Sequence, residues 1–292
     1  MFLTGTPSSS DWSGDRRTAS GPIPYSNHDA RAYEQPRHLP TTVASSPYCR
    51  LGPRPRGDRS IVTALTLVRE QIVTCERCPR LRAYCQRVGR EKRRAYLLDT
   101  YWARPVPGFG DPHARLLIVG LAPAAHGANR TGRVFTGDGI GGSGDFLMAS
   151  LHRTGFANIS TSQRTDDGLA LTDGYIAAAV RCAPPDNKPT PEEIARCLPH
   201  LEAEVDALPN ISVIVALGRI GFDACLRLLK NRSVDVRPAP KFGHGSCASL
   251  PNGQTLLGCY HPSRQNTNTG RLTPRMMDAV FRTARRRLDA PR

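Results

Sequence analysis

Lysine is nearly missing from this chain: of 40 basic residues, only Lys92, Lys188, Lys230 and Lys241 are lysines. An Arg- and Ala-rich vocabulary accounts for part of that bias but not for the imbalance of sign. The net charge is +15 and the pI about 9.9, which favours a polyanionic partner such as nucleic acid. Residues 1–59 hold eight Arg against five acidic residues, so +12 of the excess belongs to residues 60–292, where a folded surface can organise it. Long apolar runs are also lacking, which argues against a helical membrane span. The opening residues MFLTGTPSSSDW have neither the charged nor the apolar region of a secretory signal, so a soluble, cytoplasmic protein is expected. No internal repeat is present. The Gly-rich stretch 120–139 matches neither GxGxxG nor GxxxxGK[ST], which argues against a dinucleotide or P-loop enzyme.

Residues 1–59 are rich in Ser, Pro, Gly and Arg with no apolar period, and read as a disordered tail. One domain is expected over 60–292. SIVTALTLVREQIVTC spaces Ile61, Leu65, Val68 and Ile72 as a helix, with Ser60 as its N-cap. Strands are read at 115–120, 174–180, 211–217 and 255–260, and helices at 143–154, 191–207, 218–230 and 273–288. Thr190-Pro191-Glu192-Glu193 is a helix start, with proline in the first turn and acids at the positive end of the dipole. Continuous apolar strands separated by helices imply an α/β fold, a three-layer α/β/α sandwich around a four-stranded parallel sheet. Such sheets bind ligands beyond their carboxyl ends. Two polar segments fall there: GLAPAAHGANRTGRVFTGDG after the first strand and HPSRQNTNTGRLTP after the last.

Nine cysteines without an export signal point to metal or cluster ligation rather than a disulfide framework. Cys75 and Cys78 form a CxxC pair, Cys182 follows the second strand, and Cys197 lies inside the predicted helix 191–207. Four thiolates suit structural zinc or an iron–sulfur cluster alike, and Cys85 is a possible substitute ligand.

CERC, the Gly-rich stretch, RCAPPDNKPTPEEIARC and HPSRQN, in that order, resemble the uracil-DNA glycosylase superfamily, most nearly its iron–sulfur branch, family 5 or type B. The resemblance covers roughly residues 60–288. It implies a [4Fe–4S] cluster on Cys75, Cys78, Cys182 and Cys197, and hydrolysis of the N-glycosidic bond of uracil or other damaged bases in DNA; the expected partner is duplex or single-stranded DNA and the expected state a monomer. It makes Phe135 the stacking surface for a flipped base and His261 the donor to the base's carbonyl oxygen. Gly120, Ala122 and Pro123 become the pocket motif. Ala122 stands where other families keep a water-positioning Asp or Asn, so Asp138 is assigned water positioning or cation stabilisation, with capping as its competing role. Ala178 stands where relatives commonly hold a uracil-reading Asn, which predicts a broader base range. DNA contacts are expected from Arg130, Arg133, Ser263, Arg264, Gln265 and Asn266, and from the basic run at 87–94. The competing class is a non-catalytic, metal-bearing nucleic-acid-binding module.

Overall fold

A computed structural model describes residues 56–290, so the tail expected at 1–59 falls almost wholly outside the described residues. Helix α1, Arg56–Val73, begins a turn earlier than expected, which makes Ser60 an interior residue rather than a cap. Helix α2, Pro79–Glu91, was hidden in the sequence by its arginines, yet Leu81, Cys85 and Val88 recur at helical spacing and are buried. The chain continues through β1 (Phe109–Gly110), β2 (Leu116–Gly120), α3 (Ala128–Thr131), α4 (Ser143–Arg153) and β3 (Gly174–Ala178). Then follow α5 (Pro191–Asp206), β4 (Val213–Leu217), α6 (Gly218–Asn231), β5 (Cys247–Ser249), β6 (Thr255–Cys259), α7 (Arg264–Asn268) and α8 (Pro274–Asp289).

The sheet runs β1-β3-β2-β4-β6-β5. Its four central strands are parallel and are the four read from the sequence. The expected four-stranded sheet is extended by β1 and β5, which pair antiparallel at the two edges. Two or three residues cannot display an alternating pattern, so these edges were invisible beforehand.

Every residue of the four parallel strands is buried, because side chains alternate into two apolar layers. Leu116, Ile118, Val213 and Val215 pack in the layer that holds α4 and α8. Leu117, Val119, Ile214 and Ala216 pack in the layer that holds α5 and α6. The start of α5 is a full capping box: the Thr190 hydroxyl accepts from Glu193 N at 3.2 Å, and Glu193 Oε2 accepts from Thr190 N at 2.8 Å. Among the described residues no helix is long and apolar enough to cross a membrane.

Candidate active site and thiol cavity

The loops leaving β2, β3 and β6 at their carboxyl ends enclose a cavity of about 490 Å³. Gly120 closes β2 and pairs with Ala178 at the end of β3. A β-carbon on Gly120 would lie 2.9 Å from the Phe135 ring, so glycine is what lets that ring lie against the strand end. Phe135 itself has φ 51°, a left-handed conformation that a bulky residue adopts only under constraint from its surroundings. Its ring centroid sits 5.8 Å from that of His261, with the planes 30° apart. The two rings form adjoining parts of the cavity wall.

Asp138 borders the same cavity, and its Oδ1 accepts from Gly144 N, in the first turn of α4, at 3.2 Å. Capping is therefore one of its roles. Burial raises its pKa, and the amides of Gly144 and Ser143 pull the other way. The segment GDGIGG at 137–142, which overlaps the end of the Gly-rich stretch 120–139 and runs three residues past it, does carry the GxGxxG spacing. It follows a loop rather than a strand, and the Asp138 carboxylate occupies the helix start where a phosphate would otherwise lie.

His261 follows β6, and burial pushes its pKa down to about 4, which leaves the imidazole neutral at physiological pH. Asn266 Nδ2 donates to the His261 carbonyl at 2.8 Å, and the Ser263 hydroxyl caps α7, so this short helix braces the histidine.

A second, tighter cavity forms where the end of α1, α2, the end of β3 and α5 meet. Cys75, Cys78, Cys182 and Cys197 all border it. The fully buried Cys85 donates instead to the Ala183 carbonyl, with Sγ 3.6 Å away. Arg80 grips Glu193 in a two-point ion pair (2.8 and 2.7 Å), tying the helix after Cys78 to the helix that carries Cys197. Arg181 and His200 also line this cavity. Arg181 Nη2 pairs with Glu204 at 2.6 Å, but Arg181 Nε and Nη1 and His200 Nε2 are buried without partners. Among the described residues only Asn129 Oδ1 shares that condition.

The family model described as uracil DNA glycosylase superfamily matches residues 107–285, more than half of the chain. The chain is 52% identical to a type-5 uracil-DNA glycosylase of Mycobacterium leprae over 217 residues, covering 74% of this chain and 92% of the relative. It is 50% identical to the type-5 uracil-DNA glycosylase of Thermus thermophilus over 217 residues, covering 74% and 95%. A type-4 uracil-DNA glycosylase of Thermotoga maritima is 30% identical over 159 residues, covering 54% and 69%. The chain belongs to the type-5 uracil-DNA glycosylases.

For a glycosylase of this branch the fold brings Gly120, Ala122, Pro123, Phe135, Asp138, Ala178 and His261 to one place: Gly120 underlies the Phe135 ring, and the other six line the cavity. The two arginines expected to reach phosphates do other work. Arg133 is buried, with Nε on Thr136 Oγ1 at 2.9 Å and Nη2 on Asp167 at 2.6 Å. Arg130 pairs with Asp99, donates to the Gly137 carbonyl at 2.7 Å and lies 3.9 Å over the Tyr96 ring. Both brace the pocket loop, Arg133 from a buried position and Arg130 from a half-buried one. Asn266 likewise spends its amide on His261. Arg264 and Gln265 remain exposed at the cavity's rim, and Arg87, Arg90, Arg93 and Arg94 of the basic run are exposed too.

Among the wall residues not expected from the sequence, two stand out. Asp186 and Asn187 line the cavity with φ 52° and 56°, both left-handed. Consecutive non-glycine residues held there are a mark of functional loops. The prolines around them in PPDNKP were the available signal.

Proposed function

We propose that the larger cavity receives a uracil flipped out of DNA, stacked on Phe135 with one edge toward His261. The reaction is that of a uracil-DNA glycosylase: hydrolysis of the N-glycosidic bond, which leaves an abasic site and opens base excision repair. As the bond breaks, the sugar gains positive charge and the base leaves as an anion. The Asp138 carboxylate stabilises the sugar cation and orients the attacking water; neutral His261 donates a hydrogen bond to the developing negative charge on the base's oxygen. A neutral imidazole serves this purpose without forming an ion pair that would hold the product. The observation that carries the reading is the joining of Phe135, His261 and Asp138 on one cavity wall. Incubation with a uracil-containing duplex followed by alkali should cut the strand at uracil. An intact strand would leave only the nucleic-acid-binding reading.

Ala178, buried at the end of β3, presents no polar group to the base edge. The pocket therefore accepts deaminated purines as well as uracil. Excision across a panel of lesions should be broad in the parent protein and narrow toward uracil in Ala178→Asn. Strict uracil specificity of the parent would overturn this.

The cofactor proposed for the thiol cavity is a [4Fe–4S] cluster on Cys75, Cys78, Cys182 and Cys197. Four thiols border one space, a donor set that suits a cluster held by thiolates. The cluster would join three separate segments of chain and carry negative charge into the cavity. Brown protein with four irons per chain supports it; one zinc per chain refutes it. The protein acts as a monomer on DNA, which light scattering would test.

A further inference from the structure

Buried polar atoms are nearly always paired, because a donor taken out of water without an acceptor keeps its full desolvation penalty. Three of the four buried side-chain atoms left unpaired among the described residues belong to Arg181 and His200, and both residues border the thiol cavity. The Arg181 guanidinium is nevertheless fixed. Its Nη2 is held by Glu204, whose other oxygen accepts from Gly108 N at 2.7 Å and from the Tyr175 hydroxyl at 3.2 Å. Arg181 N also donates to Cys197 Sγ at 3.2 Å, so the residue is joined to the thiol set through its backbone. Both residues of the pair are about 1% exposed, in a setting where charge acts at short range with little screening.

We propose that Arg181 and His200 are the hydrogen-bond donors that receive the sulfur atoms of the bound cluster, and that the Arg181–Glu204 pair sets its reduction potential. This rests on the reading that the four thiols hold a [4Fe–4S] cluster. Thiolate and sulfide sulfurs are acceptors with net negative charge, which is what the two unpaired Arg181 nitrogens require, and what His200 Nε2 requires in its Nε2–H tautomer. A cation beside the cluster favours its more reduced, more negative state and so raises the potential. Glu204, which pairs with the guanidinium but does not itself border the cavity, offsets part of that charge.

The two halves of the pair therefore predict shifts of opposite sign. In the purified holoprotein, the potential is measured by voltammetry, and iron and sulfide are assayed for each variant. Glu204→Gln keeps acceptors for Gly108 and Tyr175 but removes the offsetting charge, so its potential should rise. Arg181→Met combined with Glu204→Gln leaves no unpaired buried charge, and its potential should fall below that of the parent. A tenfold change in the redox equilibrium, about 59 mV for a one-electron couple, is the expected scale of each shift. His200→Gln keeps a donor and should hold the parent's potential, whereas His200→Leu should lower it. The histidine pair decides the matter if the Arg181 variant does not fold. Full iron content with the parent's potential in both Glu204→Gln and His200→Leu would overturn the proposal. A parent protein without iron and sulfide would instead overturn the cluster reading beneath it.

Discussion

Asp138 borders the cavity and also caps α4, so its substitutions must separate charge from capping. Asn keeps an acceptor for the Gly144 amide and removes the carboxylate. Single-turnover excision by Asp138→Asn should fall about 100-fold, with melting little changed. Asp138→Ala should lose the rate and also about 1 kcal/mol of stability with the cap. Because burial raises the Asp138 pKa, the acid limb of the rate profile should lie above the ordinary Asp value and vanish in Asp138→Asn. Full single-turnover activity of Asp138→Asn would end the assignment. His261 makes a second prediction, about stability. Its folded pKa of about 4 lies below the unfolded value near 6.5, so the unfolded chain binds more protons between them. Its contribution is complete above the unfolded value and is lost as pH falls toward 4. Urea midpoints of His261→Phe should therefore decline less from pH 6.5 to 4 than those of the parent, and an equal decline would show that the histidine is not held neutral.

The pocket loop and the start of α4 are fitted around glycines that a β-carbon would displace. At Gly144 the added atom would lie 2.2 Å from the Phe135 carbonyl oxygen, a backbone atom that cannot swing aside. Gly144→Ala should destabilise the protein by roughly 1–3 kcal/mol and reduce excision more than DNA binding, since it moves Phe135. Equal losses in both would mean that the loop only supports the fold. These glycines were visible beforehand as a composition, but their partners were not, because Gly120, Gly142 and Gly144 are specified by contacts across the loop. The four parallel strands and the main helices were legible, since burial on both faces leaves unbroken apolar runs and Thr190 writes its capping box locally. Helix α2 was not, because four arginines mask its three buried apolar positions. The wall residues were reached only through motif resemblance. Asp186 and Asn187 were missed because their position depends on backbone conformation rather than residue pattern.

Across the whole molecule the excess of +15 suggests many phosphate contacts, yet several arginines are turned inward and are spent on the fold. Arg133 and Arg181 are buried, and Arg115 and Arg285 converge on Asp173. Net charge steers DNA toward the protein, whereas counterion release counts only the cations that reach phosphates. Exposed Arg264 at the cavity rim and internal Arg133 should therefore behave in opposite ways. Arg264→Ala should weaken binding to duplexes of any sequence and reduce the slope of log K against log salt by about one, with stability unchanged. Arg133→Ala leaves Asp167 without its buried partner and should cost about 3–5 kcal/mol in folding. The folded fraction of that variant should still bind DNA with the parent's salt slope. Measured by fluorescence anisotropy from low to high salt, a reduced slope in Arg133→Ala would place that arginine on the DNA after all. An unchanged slope in Arg264→Ala would move the phosphate contacts to the exposed arginines of the 87–94 run.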